Sequence, residues 1–230
     1  MFLVACSDRS AVTRTFTSAL ASFSAEWRIK VGSSMLPNWP NPDKSSVQST
    51  SLIRAEDDDG VAIAIKRTPY SLGYISWPTA AKLRVPVALI SNHAGTFVAP
   101  TTSGVQSAMD AFAAEMGLGG VNRSLFFQSI VDPKNQSGAY PISMFTYLLF
   151  DAGNLTCSTQ YHLLYLVYWS WTDPQAVGLA IRHNVAPISK AVRTALLWTL
   201  GDLECNGFGI LESVAYDYDN GIVGTGASTP

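Results

Sequence analysis

Charge is what this sequence has least of. Only 14% of its 230 residues are Asp, Glu, Lys or Arg, against roughly 25% in an average soluble domain. Fifteen basic residues stand against 17 acidic ones, for a net charge of −2. A phosphodiester backbone needs a basic face, so nucleic acid is excluded as a partner. Long apolar runs are lacking too. The strongest, Tyr161 to Trp171, is about half of the ~20 residues a spanning helix requires, so no membrane span is expected. Cysteine and histidine are scarce, with three of each. Cys6, Cys157 and Cys205 are far apart, as are His93, His162 and His183, which excludes a zinc-type ligand spacing. No metal, no cofactor and no enzyme activity are expected: no nucleophile elbow surrounds any serine, and no histidine sits in a catalytic motif.

What is abundant is apolar and aromatic: 47% hydrophobic residues, with six Trp, nine Tyr and ten Phe. Three Asn-x-Ser/Thr sequons, at Asn122, Asn135 and Asn154, fall in segments that read as loops, where a glycan fits. Cys157 and Cys205 form a candidate disulfide. Together these features favour a secreted or cell-surface chain. The start, Leu3-Val4-Ala5-Cys6, superficially matches a lipoprotein cleavage box but lacks a charged segment before it. A buried strand is the better account.

That strand opens the most informative stretch, Phe2 to Phe16. The apolar run ends in Ser7-Asp8-Arg9-Ser10 and leads straight into a helix. The first N–H groups of a helix have no internal partner and point toward a ligand, so this arrangement is a candidate anion cradle formed by Asp8, Ser10, Ala11 and Val12. The alternative is a plain N-cap, with Asp8 and Ser10 satisfying those donors themselves. Glycines for close backbone approach are missing from it.

Further along, the periodicity predicts a helix over Ala11 to Phe23, with Phe16, Leu20 and Phe23 on one face. Ser33 to Asp59 reads as a long surface loop in which Asp57-Asp58-Asp59 is a solvated turn, since a triplet lacks the spaced ligands of a calcium loop. Gly60 to Arg67 is ambiguous between strand and short helix. Leu72 to Ser76 reads as a short buried strand. Pro86–Ser91 and Thr96–Ala99 make a hairpin about Asn92-His93-Ala94-Gly95, and Ser103 to Met116 is amphipathic helix. Tyr140 to Phe150 reads as a long apolar strand. Helices follow over Thr159–Trp171, Pro174–His183 and Ile188–Leu200, and residues from Asp217 onward read as linker. Strands separated by helices give an α/β class.

Several segments recur in one known order. Asp8-x-Ser10 precedes a helix with Phe16-Thr17. Glu26-Trp27, Val31-Gly32 and Asn38-Trp39-Pro40 follow, then Gly60-Val61-Ala62 and Thr68-Pro69-Tyr70-Ser71-Leu72-Gly73-Tyr74-Ile75. Ala139-Tyr140-Pro141-Ile142 and the Trp169 to Pro187 helix pair complete the set. In this order they resemble the phosphate-binding subunit of bacterial ABC transporters, the PstS-like branch of the type II periplasmic-binding-protein fold. The resemblance implies a partial two-lobed fold: 1–145 as lobe two, incomplete at its start, 146–215 as a helical return to lobe one, and 216–230 as linker or the start of a following domain. The tail, Gly224 to Pro230, resembles the run with which such domains begin.

The resemblance also locates departures. The family's Arg-x-Asp-Gly-Ser-Gly-Thr loop has Cys6 in place of arginine here, and Gly-Ser-Gly-Thr becomes Arg9-Ser10-Ala11-Val12. A bidentate charged donor and a hydroxyl are gone. What this implies is a non-catalytic module with a degenerate anion site and a structural or assembly role, whose partners are copies of itself or neighbouring domains. A working phosphate or oxyanion receptor is the alternative.

Overall fold

The computed structural model describes residues 1–40, 51–116, 130–134 and 136–222. Asn122, Asn135, the glycines at 117–120 and the 224–230 tail lie outside them. The fold is α/β, and it divides into two compact units, 1–108 with 128–145, and 109–127 with 146–230.

The first unit is built on a short parallel sheet. Strand β1 (Phe2–Cys6) feeds α1 (Ala11–Phe23) and α2 (Ala25–Lys30). Strand β2 (Ser51–Ala55) feeds α3 (Asp57–Arg67), and β3 (Ser71–Gly73) follows. The order is β2-β1-β3, with β1 central and both pairings parallel, so these are two successive crossover units. Val4, Cys6 and Val61 form the buried core between sheet and α3, backed by Ile53, Ala55, Ala64 and Ile65. Gly73 is required there, because a Cβ on it would lie 2.8 Å from both Ile65 Cδ1 and the Val4 carbonyl oxygen.

The helix over Ala11–Phe23 has the bounds its caps predict, but not the buried face. Thr13, Thr15, Thr17 and Ala19 are buried, and Phe23 is exposed. The threonines manage this by spending their hydroxyls locally: Thr17 Oγ1 donates to the Thr13 carbonyl and receives the Ser34 N–H at 3.0 Å. Three other expectations change here. Part of the expected 33–59 loop is β2, and the Asp57-Asp58-Asp59 "turn" is the first turn of α3, which settles Gly60–Arg67 as helix. Strand β3 is shorter than expected, and Leu72 on it is half exposed rather than buried.

After α4 (Trp77–Lys82), β4 (Ile90–Ser91) and β5 (Phe97–Val98) form the expected hairpin. Asn92 holds its turn: Oδ1 accepts the N–H groups of Ala94 and Thr96, and Nδ2 donates to the Ser137 carbonyl at 2.7 Å. The chain passes from the first unit to the second within α5 (Thr102–Met116). Strand β6 (Ile130–Val131) pairs with β7 (Ile142–Ser143). The long strand expected over Tyr140–Phe150 shrinks to those two residues, since beyond them Leu148 and Leu149 are exposed.

The second unit is helical. A 3-10 turn (Ala152–Asn154) leads to α6 (Cys157–Thr172), α7 (Pro174–Arg182), α8 (Lys190–Gly201), the β8 (Glu204–Cys205)–β9 (Phe208–Gly209) hairpin, and α9 (Ile210–Asp219). Cys157 and Cys205 are joined in a disulfide. Its core is Tyr161, Leu164, Ile210 and Val214, packed by Phe150, Tyr165, Tyr168, Leu200 and Leu203. Helix α9 takes in the first three residues, 217–219, of the linker expected from Asp217 onward. Ile210, Val214 and Asp217 recur on one helical face and are buried. Asp217 accepts the Tyr161 hydroxyl, and Tyr218 donates to Asp173 Oδ2 at 2.9 Å.

Candidate functional site

The C-terminal ends of parallel strands are where open α/β sheets place ligands. Here β1 ends at Cys6, and Ser7 to Ser10 cross to α1. Ser10 has extended backbone and is the N-cap: its Oγ accepts the N–H of Val12 at 3.2 Å and of Thr13 at 3.4 Å. Its own N–H donates to the Met35 carbonyl at 3.1 Å, which ties the loop to the segment after α2.

Asp8 does something else. Its Oδ1 accepts the Cys6 thiol at 2.8 Å and the Asp57 N–H at 2.9 Å. The expected Asp8–Ser10 cap pair is therefore corrected by half: Ser10 caps α1, while Asp8 joins the ends of β1 and α3. The two hydrogen bonds, the thiol's first, hold the Asp8 carboxyl below the usual carboxylate range. Burial, and then the bond to Asp8, pushes the Cys6 thiol up. Cys6 is thus a buried, protonated thiol at the position where the resemblance calls for arginine.

Tyr74, which the sequence did not mark as a site residue, fixes both ends of the crossing. Its hydroxyl receives the Cys6 N–H at 3.3 Å and lies 2.9 Å from Thr13 Oγ1. Its ring stacks on Phe16 with centroids 4.4 Å apart. Trp39 lies 6.0 Å from Tyr74 and Trp27 lies 6.0 Å from Trp39. Phe16, Trp27, Trp39 and Tyr74 all belong to the segments that carry the family resemblance. These four rings form one aromatic cluster in the first unit.

The electrostatics of this edge are negative. Asp58 Oδ2 accepts the Ser76 N–H at 2.8 Å, and Asp57 Oδ1 accepts the Gly60 N–H, both beside Asp8 at the start of α3. Asp59 is bridged to Lys82. Among the described residues no ion pair reaches Asp8, and Arg9 and Arg14 are exposed. Ala11 and Val12 stand in the first turn of α1, where Val12 presents methyls and no hydroxyl. The described residues hold no cluster of three metal-ligating side chains.

A second polar group forms elsewhere in the first unit. Ser22 donates to Asp132 Oδ2 at 2.9 Å, and His93 Nδ1 lies 3.5 Å from the same oxygen, in an open depression of about 400 Å³. The carboxylate stands between the serine and the histidine. Ser22 donates its hydroxyl proton to Asp132, and His93 faces the same carboxylate oxygen.

No family model matches the chain. It is 32% identical over 143 residues to the phosphate-binding protein PstS of Methanocaldococcus jannaschii, covering 62% of this chain and 35% of that protein. It is 23% identical over 192 residues to the PstS of Xylella fastidiosa, covering 84% of this chain and 48% of that protein. A similar share of the chain, 84%, matches 12% of a putative serine/threonine-protein kinase/receptor of Acanthamoeba polyphaga mimivirus at 26% identity. The chain spans less than half the length of these relatives. Among the described residues no helix is long and apolar enough to cross a membrane. With its parallel β2-β1-β3 sheet, its capped loop and these relatives, the chain is a divergent relative of the PstS phosphate-binding proteins, with a periplasmic-binding-protein-like α/β fold.

Proposed function

We propose that the chain is a non-catalytic PstS-like module of a secreted or cell-surface protein, with a structural or assembly role, whose anion loop is retained as scaffold. Its partners are then neighbouring domains of a longer chain or further copies of itself. The observation that carries the reading is Asp8. In place of an arginine beside it stands a neutral thiol, and the carboxylate is spent on Cys6 and on the start of α3. A phosphate anion at the α1 N-terminus would meet Asp8, with Asp57 and Asp58 close by, and among the described residues no cation is paired with Asp8. The Cys157–Cys205 disulfide supports an oxidising, extracytoplasmic setting.

Phosphate binding is the second reading. Relatives are named for it, and Ser10 Oγ accepts two N–H groups, which leaves its own proton to donate. Calorimetric titration of the full-length protein with inorganic phosphate separates the two. The structural reading expects no saturable heat. Micromolar binding that disappears in Ser10→Ala would instead establish the receptor and remove the structural role as the leading account.

A further inference from the structure

We propose that Asn154 carries an N-linked glycan. The inference rests on the secreted reading above and adds a modification site to it. Asn154-Leu155-Thr156 is an acceptor sequon, and the fold presents it as one needs to be presented. Asn154 ends the 3-10 turn that precedes α6, and both Asn154 and Thr156 are exposed, so a bulky sugar displaces no packing. The side-chain amide donates to Asp151 Oδ2 at 2.5 Å. An asparagine amide nitrogen carries two hydrogens. Glycan transfer replaces one and leaves the other as a donor that Asp151 can accept.

The second observation is the disulfide. Cys157 follows the sequon directly and is bonded to Cys205. Disulfides form in the same oxidising secretory compartment that glycosylates asparagine. In the reaction, Asn154 Nδ2 attacks the anomeric carbon of a lipid-pyrophosphate-linked oligosaccharide. A C–N bond forms and the anomeric C–O bond breaks. The lipid pyrophosphate leaves with the electron pair, and the amide proton passes to a base of the transferring enzyme. No oxidant or reductant is involved.

Peptide mapping of the full-length protein from its native host, under non-reducing conditions, tests this. The expected result is a 154 peptide that appears only after peptide-N-glycosidase treatment, with Asn154 converted to aspartate. Asn154→Gln should lose one glycan of intact mass. Thr156→Ser, which keeps a hydroxyl for both the sequon and the α6 cap, should retain it. An unmodified Asn154 in protein whose Cys157–Cys205 bond is formed overturns the glycan and leaves the secreted reading standing. An unmodified Asn154 with both cysteines as free thiols overturns the two together.

Discussion

Two carboxylates in this chain each accept a hydrogen bond from a neutral side chain, and their surroundings could hardly differ more. Asp217 is 4% exposed and takes the phenol of Tyr161 inside the α6–α9 packing. Asp8 is exposed and takes the thiol of Cys6 at the rim of the sheet. The first belongs to a core, where removing one partner strands the other away from water. The second belongs to an exposed loop, where Asp8 accepts the Cys6 thiol and the Asp57 N–H. The contrast sets a carboxylate that completes a buried core beside one that ties two exposed element ends together, and the proposed scaffold role rests on the second.

The largest effect should come from the region around Asp217. Replacing Cys157 and Cys205 together by serine opens a loop of 48 residues, worth ~4 kcal/mol on a chain-entropy account. Urea unfolding followed by hydrogen exchange should show the loss concentrated in α6 and α9, with β1 and α1 little changed. Leu164→Ala, at a site 1% exposed in the same core, should cost about 3 kcal/mol, read from the shift in the urea midpoint.

Tyr161→Phe should cost about 2 kcal/mol by leaving the Asp217 carboxylate buried without its donor. It also has a pH signature. Burial first, then the bond to Asp217, pushes the Tyr161 phenol well above its ordinary value of 10.0. A group raised on folding contributes stability that is complete below its unfolded value and lost as pH climbs through the folded one. Wild-type stability should therefore fall above about pH 10, and Tyr161→Phe should flatten that alkaline limb.

The loop around Asp8 should respond less. Ser10→Ala removes the α1 cap and should cost about 1 kcal/mol, with thermal unfolding as the readout. Asp8→Asn should be the mildest change in stability at neutral pH. Because the Asp8 carboxyl is depressed on folding, its contribution is present above the ordinary carboxylate range and lost as pH falls through the folded value. The variant should lose that acid limb and little else. An Asp8→Asn cost as large as that of Tyr161→Phe would erase the contrast.

Much of this was legible in the sequence where the determinants are local. Ser10 opens α1, Pro174 opens α7, and Asn92 to Gly95 marks a turn. Pairing that depends on distant residues was not legible. Ser51–Ala55 does not alternate and sits beside an acidic run, so only its register against β1 makes it a strand. Tyr140–Phe150 is apolar enough for a long strand, but β6 offers it two partners. Helix α9 is disguised by Asp217 and Tyr218, whose polarity is absorbed by Tyr161 and Asp173.

At the loop, the cap could be read from Ser10 alone. The fate of Asp8 could not, because its backbone partner Asp57 lies 49 residues away. Nor could the role of Tyr74, 61 residues from Thr13, whose Oγ1 its hydroxyl meets. The ordered motifs pointed to the PstS-like resemblance, and the geometry packs four of their aromatic residues, Phe16, Trp27, Trp39 and Tyr74, into one cluster.

The claim that this loop is scaffold can be tested at the atoms concerned. Amide resonances of Ala11, Val12 and Thr13 in the full-length protein should stay in place as inorganic phosphate is titrated in. A saturable shift of those three signals, absent when sulfate is used instead, would contradict the account and make the α1 N-terminus a working phosphate site.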